Sequence, residues 1–292
     1  MDNSVGQLRW GPEQRLEFIE FRLFWDGWIN RSDIIEKFGV SVPQASNDLT
    51  QYREMAPENL QYDASAKRYL ASPIFKPILI KPNPDRYLAQ LKAMVEDVIQ
   101  VDDTWMITPP AVASMPIPMR KIEPMILRSF AQCIKSNNSI NVLYHSMSVE
   151  RPMATWRKLA PHAFVFDGLR WHVRAFCHLT KEFKDFLLSR CSQIGKMDKD
   201  SIDVALDWKW STLFEVILVP NPALTTSQQE AVAWDYNMID GQVTVPVRLA
   251  LLYYFNKRLR LDVADRLDNS QETPVLVKNR DAFEAALSRA KI

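Results

Sequence analysis

Apolar residues recur at helical spacing in two neighbouring stretches between Asn30 and Glu54. The two stripes are Ile34, Ile35 and Phe38, and then Val42, Ala45, Leu49 and Tyr52. Gly39, which lies between the stripes, can adopt the left-handed conformation of a tight turn. Ser41 can cap the second helix, and Pro43 is tolerated in its first turn. The spacing therefore predicts a helix-turn-helix.

The outward face of the second predicted helix is polar. It carries amide, hydroxyl and guanidinium groups, which are Gln44, Ser46, Asn47, Thr50, Gln51 and Arg53. Such groups can contact base edges and phosphates, as a DNA-reading helix requires. Two β-forming runs around Tyr62 and Tyr69 then predict a hairpin, or wing, with Lys67 and Arg68 near its tip. We predict a winged helix-turn-helix that binds DNA, with a protein-interaction module as the alternative.

Proline clusters divide the remainder of the chain. Residues 72–84 and 108–118 are rich in proline and resist regular helix, whereas residues 85–100 and 124–135 have helical spacing. These four segments predict a connector between two larger parts of the chain.

The pattern changes to alternating β-forming runs between residues 139 and 197. Asp167 and Gly168 form a hairpin signal between two of these runs, which predicts a small antiparallel sheet or barrel. From residue 208 onward, strand and helix patterns alternate and predict a small unit of mixed structure. The predicted fold class is α+β.

Composition and glycine placement exclude several classes of protein. The 292 residues carry a net charge of +1 and include only seven glycines. No glycines have the spacing of a phosphate loop or a dinucleotide-binding motif, and neither H-E-x-x-H nor G-x-S-x-G occurs. Cys133, Cys177 and Cys191 lack C-x-x-C spacing and are predicted to be core residues. No apolar run has the length of a membrane span and no signal segment is present, which predicts a cytoplasmic protein.

Positive charge is concentrated in the middle of the chain. Residues 1–76 hold nine Lys and Arg against eleven Asp and Glu, whereas residues 120–200 hold fourteen against seven. In one strand, the period of two places four basic residues and one phenylalanine on the same face. They are Arg170, His172, Arg174, Phe176 and His178. Arg157 and Arg190 lie in equally apolar strands, and an arginine in that setting requires an anionic partner. The middle domain is therefore predicted to bind an anion. The alternative is that Arg157, Arg174 and Arg190 pair with local carboxylates such as Asp185 and Glu182.

The four histidines also lie in this middle segment. A metal site built from His172, Cys177 and His178 is disfavoured, because adjacent residues of a strand point to opposite faces. Neither Asp167 nor Asp185 is well placed for catalysis. We therefore predict no metal, no cofactor and no enzymatic activity.

The order of these segments resembles the WYL-domain transcription regulators of bacteria, especially those beside anti-phage defence systems of the BREX and CBASS type. The resemblance rests on the winged helix-turn-helix, the connector, and the motifs Y-H-S, R-K-L-A-P-H, R-W-H-V-R-A-F-C and F-L-L-S-R. The Trp-Tyr-Leu tripeptide of the family stands here as Trp171, His172 and Val173. The resemblance implies an Sm-like β-barrel with a ligand pocket formed by Tyr144, His145, Ser146, Arg157, His162, Trp171, His172, Arg174 and Arg190.

The resemblance also implies a C-terminal extension that dimerises. Two roles are open for the apolar residues Leu249, Leu252, Tyr253 and Phe255. They could form that interface, or they could cover the three-stranded sheet of their own domain. The predicted domains are a winged helix-turn-helix at 1–80, a helical connector at 81–136, a WYL ligand-sensing domain at 137–203 and a C-terminal dimerisation domain at 204–292.

The predicted function is a dimeric repressor of a phage-defence operon. It is expected to bind double-stranded operator DNA with an inverted repeat and to sense an anionic nucleotide or nucleic-acid ligand. Arg157, Arg174 and Arg190 are expected to converge on one pocket for that ligand. The alternative is a nucleic-acid-binding effector module, in which the basic middle domain binds nucleic acid and the winged helix contacts protein.

Overall fold

The predicted helix-turn-helix and wing are both present. The computed structural model describes residues 11–118, 120–150, 152–199, 202–264 and 270–291, and the chain divides into two units, 1–118 and 119–292. The elements of the first unit are α1 (Pro12–Asp26), β1 (Trp28–Ile29), α2 (Arg31–Phe38), α3 (Val42–Met55), β2 (Leu60–Asp63), β3 (Arg68–Ala71) and α4 (Pro84–Val95).

Two glycines and one serine set the helix ends around the turn. Gly27 and Gly39 follow α1 and α2 with φ angles of +77° and +64°, which glycine adopts more readily than any other residue. The Ser41 hydroxyl accepts a hydrogen bond from the Gln44 backbone N–H at 3.3 Å and so caps α3. The apolar stripes of α1, α2 and α3 then meet in one core.

The wing has a third strand that the sequence pattern did not reveal. β2 and β3 pair antiparallel with Tyr62 opposite Tyr69, and the two-residue strand β1 pairs with the other edge of β3. A strand this short shows no alternation. The indole of Trp28 in β1 lies near two guanidinium groups, at 5.2 Å from Arg22 and 5.1 Å from Arg68.

The connector up to residue 118 is part of the first unit and packs against the winged helix. Its first segment, residues 72–84, overlaps the end of the domain predicted at 1–80. Phe75, Leu79 and Trp105 pack against the core of the winged helix. The helix α4 buries Leu91, whereas its Leu88 is exposed. The connector therefore holds to the winged helix mainly through the segments on either side of α4.

The second unit begins with a helix and a five-stranded antiparallel sheet. Its first elements are α5 (Pro124–Ser136), β4 (Ser139–Tyr144), β5 (Thr155–Phe166), β6 (Trp171–Cys177), β7 (Glu182–Leu187) and β8 (Cys191–Asp198). The strand order is β7-β6-β5-β4-β8. The turn predicted at Asp167 and Gly168 is confirmed, with Gly168 at a φ of +88°. The predicted antiparallel strands are thus present.

Apolar side chains fill the side of this sheet that faces α5. Cys133 of α5, Cys177 of β6 and Cys191 of β8 are all buried there, as predicted. Within the described residues no pairing joins β7 to β8, so the closed Sm-like barrel stays a prediction.

The C-terminal part has its own sheet and core. Its elements are α6 (Trp208–Ser211), β9 (Leu213–Pro220), α7 (Thr226–Asp235), β10 (Val243–Arg248), α8 (Leu252–Arg258), β11 (Val275–Val277) and α9 (Arg280–Lys291), with strand order β10-β9-β11. Leu249 and Leu252 are buried in this core and Phe255 packs against it, while Tyr253 is exposed. Of the two roles considered for these residues, the structure supports cover of their own sheet.

Candidate nucleic-acid interface and ligand site

The polar face of α3 is open to solvent. Asn47, Thr50 and Gln51 lie on one side of the helix at i, i+3 and i+4, and Arg53 lies at the edge of that side; all four are exposed. Across the part of the chain that the structure describes, none of these four side chains has a hydrogen-bond or ion-pair partner. Their donors and acceptors are therefore available to an external molecule.

The two other predicted contacts on α3 are engaged within the helix. Gln44 donates from Nε2 to Asp48 Oδ1 at 2.9 Å, and the Ser46 hydroxyl donates to the Val42 carbonyl at 2.9 Å. Contact of Gln44 or Ser46 with DNA would exchange or share these bonds, and it stays a prediction.

A buried ion pair fixes α3 against α1. Arg15 donates from Nε to Asp48 Oδ2 at 2.7 Å and from Nη2 to Asp48 Oδ1 at 3.0 Å, and both residues are buried. A two-point contact of this kind sets orientation as well as distance. Sequence reasoning gave neither residue a role, although Asp48 interrupts the apolar stripe of α3, which was the available signal.

The wing presents one of its two predicted basic residues more openly than the other. Lys67 is exposed at the tip with a φ of +51°. The guanidinium of Arg68 lies over Trp28 and is partly buried. The Asp63 carboxylate holds the turn by accepting hydrogen bonds from Ser65 and Ala66, which lower its pKa. Lys67 is therefore the better placed for a phosphate contact.

The predicted ligand residues of the second unit fall on opposite faces of the five-stranded sheet. Arg157 stands opposite Val142 and shares the core-side face, whereas Arg174 alternates with the core residues Val173 and Ala175 and points the other way. The single pocket with three convergent arginines that we expected is therefore not formed. The physical reason is that successive side chains of a strand point to opposite faces of the sheet, and the registers of β5 and β6 place Arg157 and Arg174 on different faces.

The core-side group contains Tyr144, Arg157 and Arg190. Arg157 is 5% exposed, and its guanidinium lies 5.3 Å from the Tyr144 ring centre. Its Nε donates to Thr155 at 3.4 Å, while its Nη2 is buried and, among the described residues, has no hydrogen-bond partner. Burial raises the pKa of Tyr144, and the neighbouring Arg190 acts in the opposite direction. The group thus holds two cations and an unsatisfied buried donor.

The opposite-face group is a closed network of charges. Arg174 donates to Asp207 at 2.8 and 2.9 Å and to Asp185 at 3.2 Å. His162 Nε2 lies 3.1 Å from the same Asp207 carboxylate. Burial raises the pKa of Asp207, but hydrogen bonds from His162 and Arg174 outweigh burial and lower it to about 2. Arg174 therefore has its anionic partners inside the protein.

His172 is held in the same internal manner. Its Nε2 lies 2.9 Å from Asp167, and its ring packs against Tyr254. Burial raises the pKa of Asp167, but hydrogen bonds from His172, Leu169 and Arg170 lower it to about 2. His172, like Arg174, therefore has a carboxylate partner within the second unit, whereas its Nδ1 is buried without a hydrogen-bond partner among the described residues.

Three predicted ligand residues lie at the ends of strands, where β4 ends and β6 begins. His145 Nε2 is 3.0 Å from the Ser192 hydroxyl, and the Ser146 hydroxyl accepts a bond from the Ser148 backbone N–H at 3.1 Å. Trp171 is exposed and packs against Phe166. Their contact with a ligand stays a prediction. Among the described residues, no cluster of three or more His, Cys, Asp or Glu side chains is arranged to hold a metal ion.

A cleft of about 860 Å³ opens beside the opposite-face network. Arg174 and Asp207 lie at its base, and Phe176, Tyr253 and Trp208 form part of its apolar wall. Basic and acidic side chains both line the cleft, so its charge does not favour one kind of ligand.

Three family models match successive parts of the chain. They are the BrxR transcriptional regulator winged helix-turn-helix domain at residues 11–93, the WYL domain at 125–195, and the BrxR transcriptional regulator C-terminal dimerization domain at 213–283. The DNA-binding transcriptional repressor CapW of Escherichia coli (strain KTE188) is 37% identical over 291 residues, which is 99% of this chain and 96% of the relative. The chain belongs to this family of WYL-domain transcriptional regulators.

Other members of the family have the same extent. The protein named DNA-binding transcriptional repressor CapW in Pseudomonas aeruginosa is 40% identical over 280 residues, covering 94% of this chain and 92% of the relative. Its namesake in Stenotrophomonas maltophilia is 37% identical over 280 residues, covering 96% and 93%. The solved proteasome accessory factor B/C of Arthrobacter aurescens matches at 15% identity with a TM-score of 0.25. That match covers 99% of this chain and 51% of the factor.

The described part of the chain contains no helix that is long and apolar enough to cross a membrane.

Proposed function

We propose that the chain is a DNA-binding transcriptional repressor that reads operator DNA with α3. The observation that carries the proposal is the exposed face of Asn47, Thr50 and Gln51, whose side chains have no partner in the described chain. The ion pair between Arg15 and Asp48 holds this face at a fixed angle. The names of the CapW relatives, DNA-binding transcriptional repressors, support the same function.

A mobility shift with the DNA upstream of the protein's own gene tests this proposal. We expect a retarded complex that survives an excess of shuffled duplex, because base contacts add specificity to phosphate binding. Binding of single-stranded nucleic acid without any preference for the upstream duplex would contradict the proposal. That result would favour the alternative, an effector module that uses its basic middle domain.

We propose that the repressor acts as a homodimer on an inverted repeat. The C-terminal part matches a dimerization domain and exposes a small apolar surface, with Trp234 at 87% and Ile239 at 75% exposure beside Tyr236. Trp234→Glu with Ile239→Glu should give monomers in sedimentation, whereas Val149→Glu, at an equally exposed site outside that part, should not. Unchanged dimers in the double variant would remove this surface from the interface.

We propose that an anionic ligand binds at the core-side group of Tyr144, Arg157 and Arg190. The buried Nη2 of Arg157 supports the proposal, because an unsatisfied buried cationic donor favours an external acceptor. Arg174 is left out, since Asp185 and Asp207 already neutralise it.

Titration with inorganic phosphate, a mononucleotide and a short single-stranded oligonucleotide tests the ligand site. Arg157→Gln should abolish the binding of whichever probe binds the parent protein, whereas Arg128→Gln on the exposed side of α5 should not. Equal binding by both variants would place the ligand elsewhere.

We propose that the regulated genes are those of a phage-defence operon and that the ligand releases the operator. A ligand achieves this only through a difference in affinity between the DNA-bound and DNA-free states. A reporter under the upstream promoter should be repressed by the protein and induced on phage infection. If phage infection still induces the reporter with Arg157→Gln, the inducing ligand does not act through the site at Arg157.

A further inference from the structure

A buried carboxylate on α1 joins the DNA-reading helix to the connector. Glu20 is 0% exposed. Its Oε1 accepts hydrogen bonds from the Tyr52 hydroxyl at 3.0 Å and from the Ile78 backbone N–H at 2.8 Å. Its Oε2 accepts from the backbone N–H groups of Leu79 and Ile80, each at 2.7 Å. One side chain thus contacts α3 and three consecutive residues of the connector.

The chemistry of this junction is specific to a carboxylate. Four donors point at the two oxygens of Glu20, and no Lys or Arg of the described chain forms an ion pair with it. Hydrogen bonds to an ionised acceptor are stronger than neutral ones. An amide in the same place would turn an NH2 group towards backbone donors and lose at least one bond.

The contact on α3 is equally well defined. Tyr52 is buried, and burial raises the pKa of its hydroxyl, which keeps the hydroxyl a donor to Glu20. The same hydroxyl accepts a bond from Asn59 Nδ2 at 3.1 Å. Asn59 in turn accepts from the Lys76 backbone N–H at 2.9 Å and donates to its carbonyl at 2.7 Å. Two hydrogen-bonded paths therefore link Tyr52 to residues 76–80.

Tyr52 lies between two residues of the exposed reading face. Gln51 precedes it and Arg53 follows it, while Thr50 is one residue further away. A change in the depth or angle of the Tyr52 side chain must therefore rotate or shift the turn of α3 that carries these groups. The Arg15–Asp48 pair holds the helix one turn earlier and leaves this turn to the Glu20 junction.

We propose that Glu20 is a positioning residue for sequence reading, which sets the angle of the second half of α3 according to the position of connector residues 76–80. The inference rests on the proposed DNA binding and deepens it. The junction, which is Glu20 with its hydrogen bonds to Tyr52 and residues 78–80, would then transmit a movement of the connector to the DNA-contacting face of α3. Loss of the junction should lower preference for the operator while leaving attraction to phosphates unchanged, since Glu20 and Tyr52 are buried.

Three isosteric variants of the full chain test this inference. Glu20→Gln removes the carboxylate, Tyr52→Phe removes only the hydroxyl on α3, and Thr104→Val is the control. Thr104 is also buried in the first unit, and its hydroxyl bonds Val101 and Met106 and no residue of the junction. Fluorescence anisotropy over a series of salt concentrations gives the affinity of each variant for upstream duplex and for shuffled duplex, and the salt dependence of each.

Glu20→Gln and Tyr52→Phe should each reduce the preference for upstream DNA about tenfold, equivalent to about 1.4 kcal/mol. Affinity for shuffled duplex and the salt dependence should match the parent, and Thr104→Val should keep the parental preference. A purely structural role would lower thermal stability in all three variants without changing the preference of the folded protein. That result would overturn the inference.

Three further outcomes are also decisive. If the parent protein itself shows no preference for upstream DNA, the proposed DNA reading fails, whatever the variants do. If the parent discriminates and Tyr52→Phe discriminates equally well, only the positioning role fails. If Glu20→Gln does not fold, Tyr52→Phe decides the matter alone, because it removes one hydroxyl and keeps the buried ring.

Discussion

The helix α3 and the strand β6 both present polar side chains on one face, but the face of α3 is exposed, whereas that of β6 is paired inside the protein. On α3, Asn47 and Gln51 are exposed and have no partner in the described chain. On β6, His172 and Arg174 are buried and paired inside the protein, Arg174 with Asp185 and Asp207 and the Nε2 of His172 with Asp167. A polar face seen in a sequence shows that a partner is required, but it does not show whether that partner is internal.

The difference follows from what each element packs against. A surface helix buries one stripe and leaves the other side to solvent. A strand in a sheet with structure on both sides buries both faces, so its polar residues must be paired. For β6 the second layer includes Asp207, immediately before α6 and far along the chain. Arg174 therefore has internal partners where the sequence pattern favoured an external one, and its contact with a ligand stays a prediction.

The largest expected effect comes from breaking the closed face. Asp207→Asn removes the main charge partner of the buried Arg174 and should lower the free energy of unfolding by about 3 to 5 kcal/mol. Urea denaturation measures this change. Glu182→Gln, which breaks an exposed ion pair with Lys184, should change it by less than about 1 kcal/mol. Equal effects would mean that the network is not as closed as the distances indicate.

The open face should respond in the opposite way. Replacing Asn47 and Gln51 by Ala should weaken operator binding by about 1 to 3 kcal/mol per lost base contact, because each amide can pair with a base edge. The free energy of unfolding should change by no more than about 0.5 kcal/mol. Anisotropy and urea denaturation give the two values. Unchanged operator affinity would remove these residues from the interface.

Acid should destabilise the protein through the buried partners of β6. The pKa of Asp167 is lowered from 3.8 to about 2 in the folded protein, so this carboxylate stabilises the fold above about pH 4 and loses that effect as the pH falls towards 2. The contribution is about 2 kcal/mol. Urea midpoints of Asp167→Asn should therefore fall less steeply with acid than those of the parent protein. Parallel curves would contradict the lowered pKa.

Local pattern was enough to predict the elements that carry their own signal. The stripes with Gly39 and Ser41 predicted α2 and α3, and the pair Asp167 and Gly168 predicted a hairpin turn, because caps and turns depend on adjacent residues. The exposed face of α3 followed from the same spacing.

Contacts between distant residues could not be predicted in this way. Nothing near Arg174 indicates Asp207, and nothing near Glu20 indicates the N–H groups of residues 78–80. The charged positions within apolar stripes were visible, and they did show that buried partners were needed. The identity of each partner depends on tertiary packing.

The smallest expected effect lies at the tip of the wing and separates the two units by their response to salt. Lys67 is exposed and can neutralise one phosphate, so Lys67→Ala should weaken binding to upstream and shuffled duplex by the same factor. It should also reduce the slope of log affinity against log salt by about 0.9, the value for one released counterion. Lys184→Ala, an exposed lysine of the second unit paired with Glu182, should leave the slope unchanged. Counterion release identifies which charges contact the phosphates. If the salt slope changes in Lys184→Ala and not in Lys67→Ala, the duplex is bound by the five-stranded sheet of the second unit and not by the winged helix.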